Sequence, residues 1–206
     1  MGDEYWPVAD VIEQRRSIRK FSDEPVDPEV VRELVALGCR APAPHHSRPW
    51  RFVQVMSTEG RTALADAMGE SWLDDMARED RSVLEVEKLI SRSREQVLEA
   101  PALLVACVAL DGAKPQPDAR RTAAERDMFV QSLGAALQNI LLAAVERGLA
   151  AYLKGAPLFC QAAIRSALEL PEDWEPAFLV LIGYAEDGFE PPARADVELG
   201  EFLIER

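Results

Sequence analysis

The sequence predicts an α+β fold in which helices surround a small central sheet. Helical and strand-like segments are interleaved, but only about four segments are strand-like and the helices between them are unequal in length. This favours α+β over a regular doubly wound fold. Two strand-like segments are almost wholly apolar, as strands covered on both faces are. The 206 residues suffice for one sizeable core and contain no linker or repeat, so we expect a single domain over residues 1–206.

Periodicity and capping signals define the first two helices. Apolar residues at i, i+3 and i+4 spacing predict a helix from about Val8 to Arg16. A second helix begins at Asp27–Pro28, an N-cap followed by proline at the first helical position, and ends near Arg40. The next segment, APAPHHSRP at 41–49, has three prolines in nine residues, which predicts non-helical chain there.

The middle of the chain alternates between strand and helix patterns. Trp50–Met56 alternates apolar and polar residues, which predicts a strand with one buried face. Thr58–Ala100 has a charged helical pattern, which predicts two helices broken near Gly69 and a mobile surface suited to gating a site. Ala102–Leu110 is almost wholly apolar and predicts a central strand.

The second half begins with the longest periodic segment. Thr122–Arg147 is hydrophobic around most of its circumference, which predicts a central or dimer-interface helix, and Gly148 ends it as a C-cap. The tail from Ala185 has little core-forming sequence, so we expect it to wrap over a neighbouring chain. The remaining predicted elements are a strand at Ala150–Lys154, a helix at Phe159–Leu170 and a strand at Phe178–Tyr184.

The charge and cysteine content exclude several classes of function. With 36 Asp and Glu against 23 Lys and Arg, the net charge of −13 would repel nucleic acid. No apolar run reaches the roughly 20 residues of a membrane span, and the first residues lack the pattern of a signal peptide, so we expect a cytoplasmic protein. The 3 cysteines are widely spaced, with no CxxC pair and no histidine at ligand spacing. We therefore expect neither a disulfide nor a metal site.

A basic segment follows the first predicted helix. Residues 15–20, RRSIRK, place four cations and a hydroxyl together in an otherwise acidic chain. Such a cluster would attract a phosphate through bidentate guanidinium contacts. Alternatively, the cations end a helix and complement its dipole. The residues alone leave the two interpretations equally open.

A proline-rich loop carries both histidines of the chain. Residues 41–50, APAPHHSRPW, bring two imidazoles, a hydroxyl, a guanidinium and an indole in front of a predicted strand. This favours a ligand-binding loop over a structural turn with exposed histidines. A later turn, KGAP at 154–157, would let backbone N–H groups approach a flat ligand, although glycine and proline at such a turn need no ligand.

Together these segments resemble the nitroreductase family. The resemblance rests on RRSIRKF, on the loop pattern AP-x-x-x-x-S-x-PW-x-F, on the long Ala/Leu helix and on a glycine turn before FLVLIGY, and it covers nearly the whole chain. It implies a central mixed sheet surrounded by helices and a homodimer with two FMN sites at its interface. It also implies an oxidoreductase in which the flavin carries the hydride and NAD(P)H or another donor supplies it.

The resemblance further implies which residues bind the cofactor. The basic segment and the tail would hold the FMN phosphate, and the proline-rich loop of one subunit would reach the flavin or its ribityl chain. Backbone N–H groups at the later turn would lie near N5 and the pyrimidine edge. The set is Arg15, Arg16, Ser17, Arg19 and Arg194 at the phosphate, Pro44, His45, His46 and Arg48 in the loop, and Gly155 and Ala156 at the turn.

One departure from the family pattern narrows the expected substrate. Most members read close to PSxxNxQPW, whereas His46 and Arg48 stand at the Asn and Gln positions here. With PDARRTAAERDMF at 117–129 and LFC at 158–160, the loop resembles the FMN-binding C-terminal domain of the bifunctional enzyme that matures factor 420 (coenzyme F-420), a 5-deazaflavin. This implies reduction of a dehydro precursor of that coenzyme, and the extra His and Arg suit an anionic, phosphate-bearing molecule.

Other activities stay open at this level. A general nitro or quinone reductase and a non-catalytic flavin or deazaflavin carrier both agree with the residues. The family also contains an enzyme that breaks down its own flavin to make the lower ligand of cobalamin. The ligase half of the bifunctional enzyme is not matched, so we expect no ligase activity. The electron donor leaves no fingerprint in the sequence.

Overall fold

The structure, a computed structural model, describes residues 7–76 and 82–206. Its helices lie on both faces of one sheet, which confirms the predicted α+β class. The helices are α1 Val8–Gln14, α2 Pro28–Gly38, α3 Thr58–Met76, α4 Val83–Glu99, α5 Ala119–Glu146 and α6 Gln161–Ala167; the strands are β1 Trp50–Gln54, β2 Ala102–Ala109, β3 Ala150–Lys154 and β4 Trp174–Gly183.

The sheet has the strand order β1-β2-β4-β3, and each neighbouring pair is antiparallel. An isolated bridge between Ser17 and Ala151 of β3 is parallel, so the mixed character of the sheet depends on the segment after α1. Every residue of β2 is buried, as its apolar sequence predicts. The bounds of β1, β2 and β3 agree with the predicted strands to within two residues.

Each face of the sheet carries its own hydrophobic core. Because side chains alternate along a strand, Leu104 and Ala106 of β2 pack with α2 and α5, whereas Leu103 and Val105 pack with α3, α4 and α6. This two-sided burial explains why the segment shows no polar alternation.

Local sequence signals set several helix ends. Asp27 caps α2 by accepting the backbone N–H of Glu29 at 2.8 Å, and Asp118 caps α5 by accepting that of Arg121 at 2.8 Å. Gly148 follows α5 with a φ of 70°, as a C-terminal glycine does. Because Asp118 is the cap, α5 begins at Ala119, a few residues before the predicted Thr122.

The predicted helix break at Gly69 is wrong. α3 continues through Gly69 to Met76, and a Cβ at Gly69 would lie 3.1 Å from Cγ2 of Ile90 in α4. The glycine is therefore a point of close helix approach rather than a break. The chain between α3 and α4 includes residues 77–81, which lie outside the described residues.

Three other predicted bounds also differ from the structure. α6 is shorter than the predicted helix because a 3₁₀ turn at Ala156–Phe159 precedes it. β4 begins at Trp174, before the apolar run, because its first residues pair with the end of β2. The first helix ends at Gln14 rather than Arg16.

α5 is the central helix of the fold. Among the described helices, it alone is long and apolar enough to cross a membrane by length and composition. One side of α5 packs inside the protein, where Phe129 is 1% and Ile140 is 0% exposed, while Met128 and Val130 are each 38% exposed. Gly38 of α2 makes this packing close, since a Cβ there would lie 2.6 Å from Cγ1 of Ile140.

Candidate functional site

The basic segment leaves α1 and runs beside the edge of the sheet. After α1 ends at Gln14, Ser17 bridges Ala151 of β3 and Phe21 bridges Ala185. The cations of this segment therefore lie on extended chain next to β3, not on a helix. The same bridges place the segment beside the strand that leads into the KGAP turn.

Guanidinium groups from both ends of the chain meet where α1 ends. Arg16 donates hydrogen bonds to the carbonyls of Glu13 and Arg15. Arg194, from the tail, donates to the carbonyls of Ile12 and Arg15. These guanidinium groups therefore bind the carbonyls at the end of α1. The alternative interpretation from the sequence, that the cations complement a helix end, accounts for this part of the arrangement. It is also the arrangement that brings Arg194 to the basic segment.

This guanidinium cluster, Arg15, Arg16 and Arg194, carries positive charge that the protein does not neutralise. Within residues 7–76 and 82–206, no carboxylate forms an ion pair with any of the three. Burial, followed by the charges of Arg194 and Arg16, lowers the pKa of Arg15. The buried Nε of Arg16 has no hydrogen-bond partner. Such a cluster fits a multiply charged anion such as a phosphate monoester.

The proline-rich loop forms a strained turn at the start of β1. Pro44–His46 is a single 3₁₀ turn, so the prediction of non-helical chain holds except for this turn. His45, His46 and Arg48 have φ values of 54°, 56° and 49°. Left-handed backbone costs roughly 1–2 kcal/mol at each non-glycine residue, and such strain is typical of functional loops.

The loop does not join the guanidinium cluster within one chain. In the described part of the molecule, no hydrogen bond or ion pair links Pro44, His45, His46 or Arg48 to the basic segment. His45, His46 and Arg48 are exposed. This is the arrangement expected if the loop serves the site of another subunit.

The KGAP turn continues directly from β3. Gly155 follows the last strand residue, and Ala156 begins the 3₁₀ turn that leads to α6. A Cβ at Gly155 would meet Cε1 of Phe178 at 3.5 Å, which is an ordinary contact, so packing alone does not require glycine there. The turn lies on the same strand as Ala151, the residue that bridges the basic segment.

A second polar cluster, not identified from the sequence, lies beside this turn. The Lys154 ammonium donates to Ser93 Oγ at 2.7 Å and to Gln96 Oε1 at 2.9 Å, both on α4. The guanidinium carbon of Arg19 lies 5.5 Å from the ring centroid of Tyr152, as in a cation–π contact. The α4 residues were missed because they look like ordinary surface residues of a charged helix.

Two cavities adjoin these residues. A polar cavity of about 560 Å³ lies between the basic segment, α4 and Tyr152. An apolar cavity of about 540 Å³ lies between α3 and the KGAP turn, and its lining includes Trp72, Asp75, Ala156 and Phe159. The apolar cavity would suit a flat, largely uncharged molecule.

Cys160, which also lines the apolar cavity, is a poor nucleophile. Burial and the charge of Asp75 raise the pKa of its thiol to about 11, and the reactive form of cysteine is the thiolate. Burial also raises the pKa of Cys107 to about 12. Among the described residues, no group of three or more His, Cys, Asp or Glu side chains could hold a metal ion.

Comparison with known proteins identifies the family. The sequence profile of the nitroreductase family matches residues 12–184 of the chain. The chain belongs to the nitroreductase family. This confirms the resemblance drawn from RRSIRKF, the proline-rich loop and FLVLIGY, and it covers the fold from α1 to the end of β4.

Curated relatives of this nitroreductase-family chain have different activities. An iodotyrosine deiodinase of Nematostella vectensis is 25% identical over 94% of this chain and 72% of its own length. YfhC of Bacillus subtilis (strain 168), provisionally assigned as an NAD(P)H nitroreductase, is 25% identical over 91% of this chain and 89% of its own length. Since relatives at this level of identity differ in activity, they leave the substrate open.

Solved structures of the same family share the fold over its full length. A nitroreductase-like family protein of Bacillus cereus superposes with a TM-score of 0.74 at 26% identity, with both chains covered completely. A provisionally assigned nitroreductase of Desulfovibrio desulfuricans, solved in complex with FMN, superposes with a TM-score of 0.71 at 25% identity over 98% of each chain.

Proposed function

We propose that this protein is an FMN-dependent oxidoreductase that works as a homodimer and takes hydride from NAD(P)H or another donor. Membership of the nitroreductase family and the FMN complex of the Desulfovibrio protein support the cofactor. The observation that carries the proposal is the guanidinium cluster. Arg194 reaches Arg15 from 179 residues away in the chain and leaves a concentrated positive charge beside β3.

The guanidinium cluster fits the phosphate of FMN. Its unpaired charge and the free Nε of Arg16 are what a phosphate monoester would satisfy. Arg15, Arg16, Ser17 and Arg194 would hold the phosphate, with Arg19 next along the segment. When bound, FMN supplies the hydride chemistry, and the protein orients it and sets its electrostatic surroundings.

The remaining predicted site residues would contact the flavin itself. Backbone N–H groups at Gly155 and Ala156 would serve the ring edge, as the predicted roles require. The strained loop with Pro44, His45, His46 and Arg48 would come from the second subunit, because it is exposed and separate from the cluster within one chain.

Exposed apolar surface supports the homodimer. Val8 on α1 is 70% exposed, and it lines a groove with Leu37 of α2 and Leu142 of α5. Phe202 and Ile204 in the tail are 72% and 73% exposed. Apolar side chains this exposed on a 206-residue chain are typical of a surface that a partner covers.

The proposed substrate is a dehydro precursor of factor 420, and the exposed loop supports it because Arg48 adds positive charge and His46 adds an imidazole that can hydrogen-bond an anionic group. A second candidate is a general nitro or quinone reductase. The apolar cavity beside Ala156 favours it, since its lining suits neutral aromatic molecules better than anions. Iodotyrosine belongs among the compounds to be tested because of the deiodinase relative.

Flavin titrations test the cofactor. We expect purified protein to be yellow, and the apoprotein to bind FMN more tightly than riboflavin, which lacks the phosphate. Arg194→Ala should weaken FMN binding about tenfold or more, because a hydrogen bond to a charged group contributes about 1.5–3 kcal/mol. Riboflavin binding should stay as in the wild type.

Arg32→Ala is the matched control, because Arg32 is an exposed arginine whose one ion pair among the described residues is with Glu29 of its own helix. It should leave binding of both flavins unchanged. Failure of the apoprotein to bind FMN would refute the proposal. An equal loss of FMN and riboflavin binding in Arg194→Ala would show that the cluster does not hold the phosphate.

Stopped-flow reduction of the bound flavin tests turnover. The FMN-loaded protein is mixed in separate experiments with NADH, NADPH and reduced factor 420. The reduced flavin is then reoxidised with the factor 420 precursor, a quinone, a nitroaromatic or iodotyrosine. Fast reoxidation by the precursor alone would support the narrower substrate. Fast reoxidation by quinones and nitroaromatics would support the general reductase, and no reduction by any donor would indicate a carrier.

A further inference from the structure

Arg51, the second residue of β1, binds the carbonyl groups at the end of the proline-rich loop. Its guanidinium donates to the carbonyl of Trp50 at 2.9 Å and to that of Arg48 at 3.3 Å. The carbonyl of Arg48 also accepts the backbone N–H of Trp50 at 2.9 Å. Two donors therefore meet at the carbonyl of the last residue of the loop that has a positive φ.

The guanidinium of Arg51 is itself held on two sides. Its Nη2 lies 2.7 Å from Oδ2 of Asp111, in the turn that follows β2. Its guanidinium carbon lies 5.8 Å from the ring centroid of Trp174, the first residue of β4. A side chain that is already held in place loses little conformational entropy when it binds a carbonyl. The contact with Arg48 therefore keeps most of its strength.

The chain that carries Asp111 is fastened to α5. The carboxylate of Glu125, which is 6% exposed, accepts the backbone N–H of Lys114 at 3.3 Å and the side-chain amide of Gln116 at 3.4 Å. Most surface ion pairs are weak because both partners must be ordered to form them. Asp111 instead projects from a tethered segment, so less order is lost when it pairs with Arg51.

The proline-rich loop needs such support because its backbone is strained. His45, His46 and Arg48 have positive φ. This conformation is unfavourable for residues with a Cβ and persists only where the surroundings hold it. Among the described residues, neither imidazole forms a hydrogen bond or an ion pair. The side-chain support at the end of the loop therefore comes from Arg51.

We propose that Arg51 and Asp111 are positioning residues of the flavin site. They hold the end of the proline-rich loop in the conformation in which it reaches the FMN bound by the other subunit. The inference rests on the proposed function, which places the cofactor at the subunit interface. Both residues act through the carbonyl of Arg48, not through a contact with the cofactor.

Breaking this arrangement should weaken FMN binding. Asp111→Asn removes the ion pair and should raise the Kd of FMN about two- to fivefold. Arg51→Ala also removes both hydrogen bonds to carbonyls and should raise it about tenfold or more. Arg94→Ala is the matched control, because Arg94 of α4 and Asp66 of α3 form an ion pair that is exposed to nearly the same extent. It should leave the Kd unchanged.

Hybrid dimers separate positioning of the loop from a general loss of stability. Chains with Arg51→Ala and chains with Arg194→Ala carry different affinity tags, and the dimer that contains one of each is purified and titrated with FMN. If the loop acts on the site of the other subunit, one site combines both defects, and the other combines an intact guanidinium cluster with an intact loop. The hybrid should therefore bind one FMN per dimer with wild-type affinity, which neither parent homodimer does.

Two results overturn the proposal. One is a folded Arg51→Ala homodimer that binds FMN like the wild type, and the other is a hybrid in which no site has wild-type affinity. Thermal unfolding shows whether each variant is folded, and Asp111→Asn replaces Arg51→Ala in the hybrid if the latter does not fold. Absence of FMN binding in the wild-type protein would instead refute the proposed function.

Discussion

Replacing Gly183 with alanine tests how the fold supports the basic segment. Gly183 ends β4, and a Cβ there would lie 2.8 Å from Cδ1 of Phe21 and 2.8 Å from Cγ of Pro101. Non-bonded carbon atoms prefer separations of about 3.5–4.0 Å, so one neighbour must move by roughly 0.7 Å. Phe21 also stacks on Tyr152, with ring centroids 6.1 Å apart. The new methyl group therefore presses on the residue that anchors the end of the basic segment.

The expected cost follows from this overlap. Overpacking a close contact costs about 1–3 kcal/mol, and alanine recovers about 0.5–1 kcal/mol relative to glycine in a strand. The net loss is then about 1–2 kcal/mol, which lowers Tm by about 2–8 °C in a protein of this size. If about half of this cost, 0.5–1 kcal/mol, falls on Phe21 and the segment before it, the Kd for FMN rises about two- to fivefold.

Differential scanning fluorimetry of the apoprotein and fluorescence titration with FMN measure the two effects. Gly112→Ala is the control, because a Cβ there would meet Cβ of Ser47 at an ordinary 3.7 Å. The reasoning is refuted if Gly183→Ala matches Gly112→Ala in Tm and binds FMN like the wild type. A lower Tm with unchanged FMN affinity would mean that Pro101, not Phe21, gives way.

Three further predictions concern thiols, a helix cap and a buried amine. Iodoacetamide at pH 8 should modify the partly exposed Cys39 before Cys107 and Cys160, because burial raises the pKa of those thiols to about 12 and about 11; peptide mass spectrometry gives the order. Asp118→Ala should cost about 1 kcal/mol and lower Tm by about 2–4 °C, since it removes the cap of α5. The free energy of unfolding of the wild-type apoprotein, relative to that of Lys154→Met, should rise from pH 8 to pH 10.5. In this range the lysine of the unfolded chain still binds a proton, whereas the folded one, whose pKa burial lowers to about 8, has released it.

Each of these has a contrary outcome. Labelling of Cys160 as fast as Cys39 would mean that the apolar cavity opens in solution. An unchanged Tm in Asp118→Ala would show that α5 does not depend on its cap. Parallel stability curves for the wild type and Lys154→Met between pH 8 and 10.5 would contradict the lowered pKa of Lys154.

Elements with strong local signals could be predicted closely. β3 has the predicted bounds, and β2 differs by one residue, because apolar runs between turn residues leave little choice. The helix start at Pro28 was predicted from the capping Asp27, whereas α5 begins at Ala119, after the cap Asp118 and before the predicted Thr122. Gly69 was misread because a glycine in a helical pattern signals either a break or a close neighbour, and α4, which approaches it, cannot be located from the sequence.

The sequence by itself determined the family, the α+β class and the basic segment, because these depend on residue types at short spacing. The family resemblance already implied that Arg194 joins Arg15 and Arg16. Only the tertiary structure decided that Arg194 does so through the carbonyls of Ile12 and Arg15, and that Ser93 and Gln96 hold Lys154, because these contacts join residues far apart in the chain. The structure also showed which charges remain unpaired. That depends on the position of every neighbouring carboxylate, which the order of residues alone does not give.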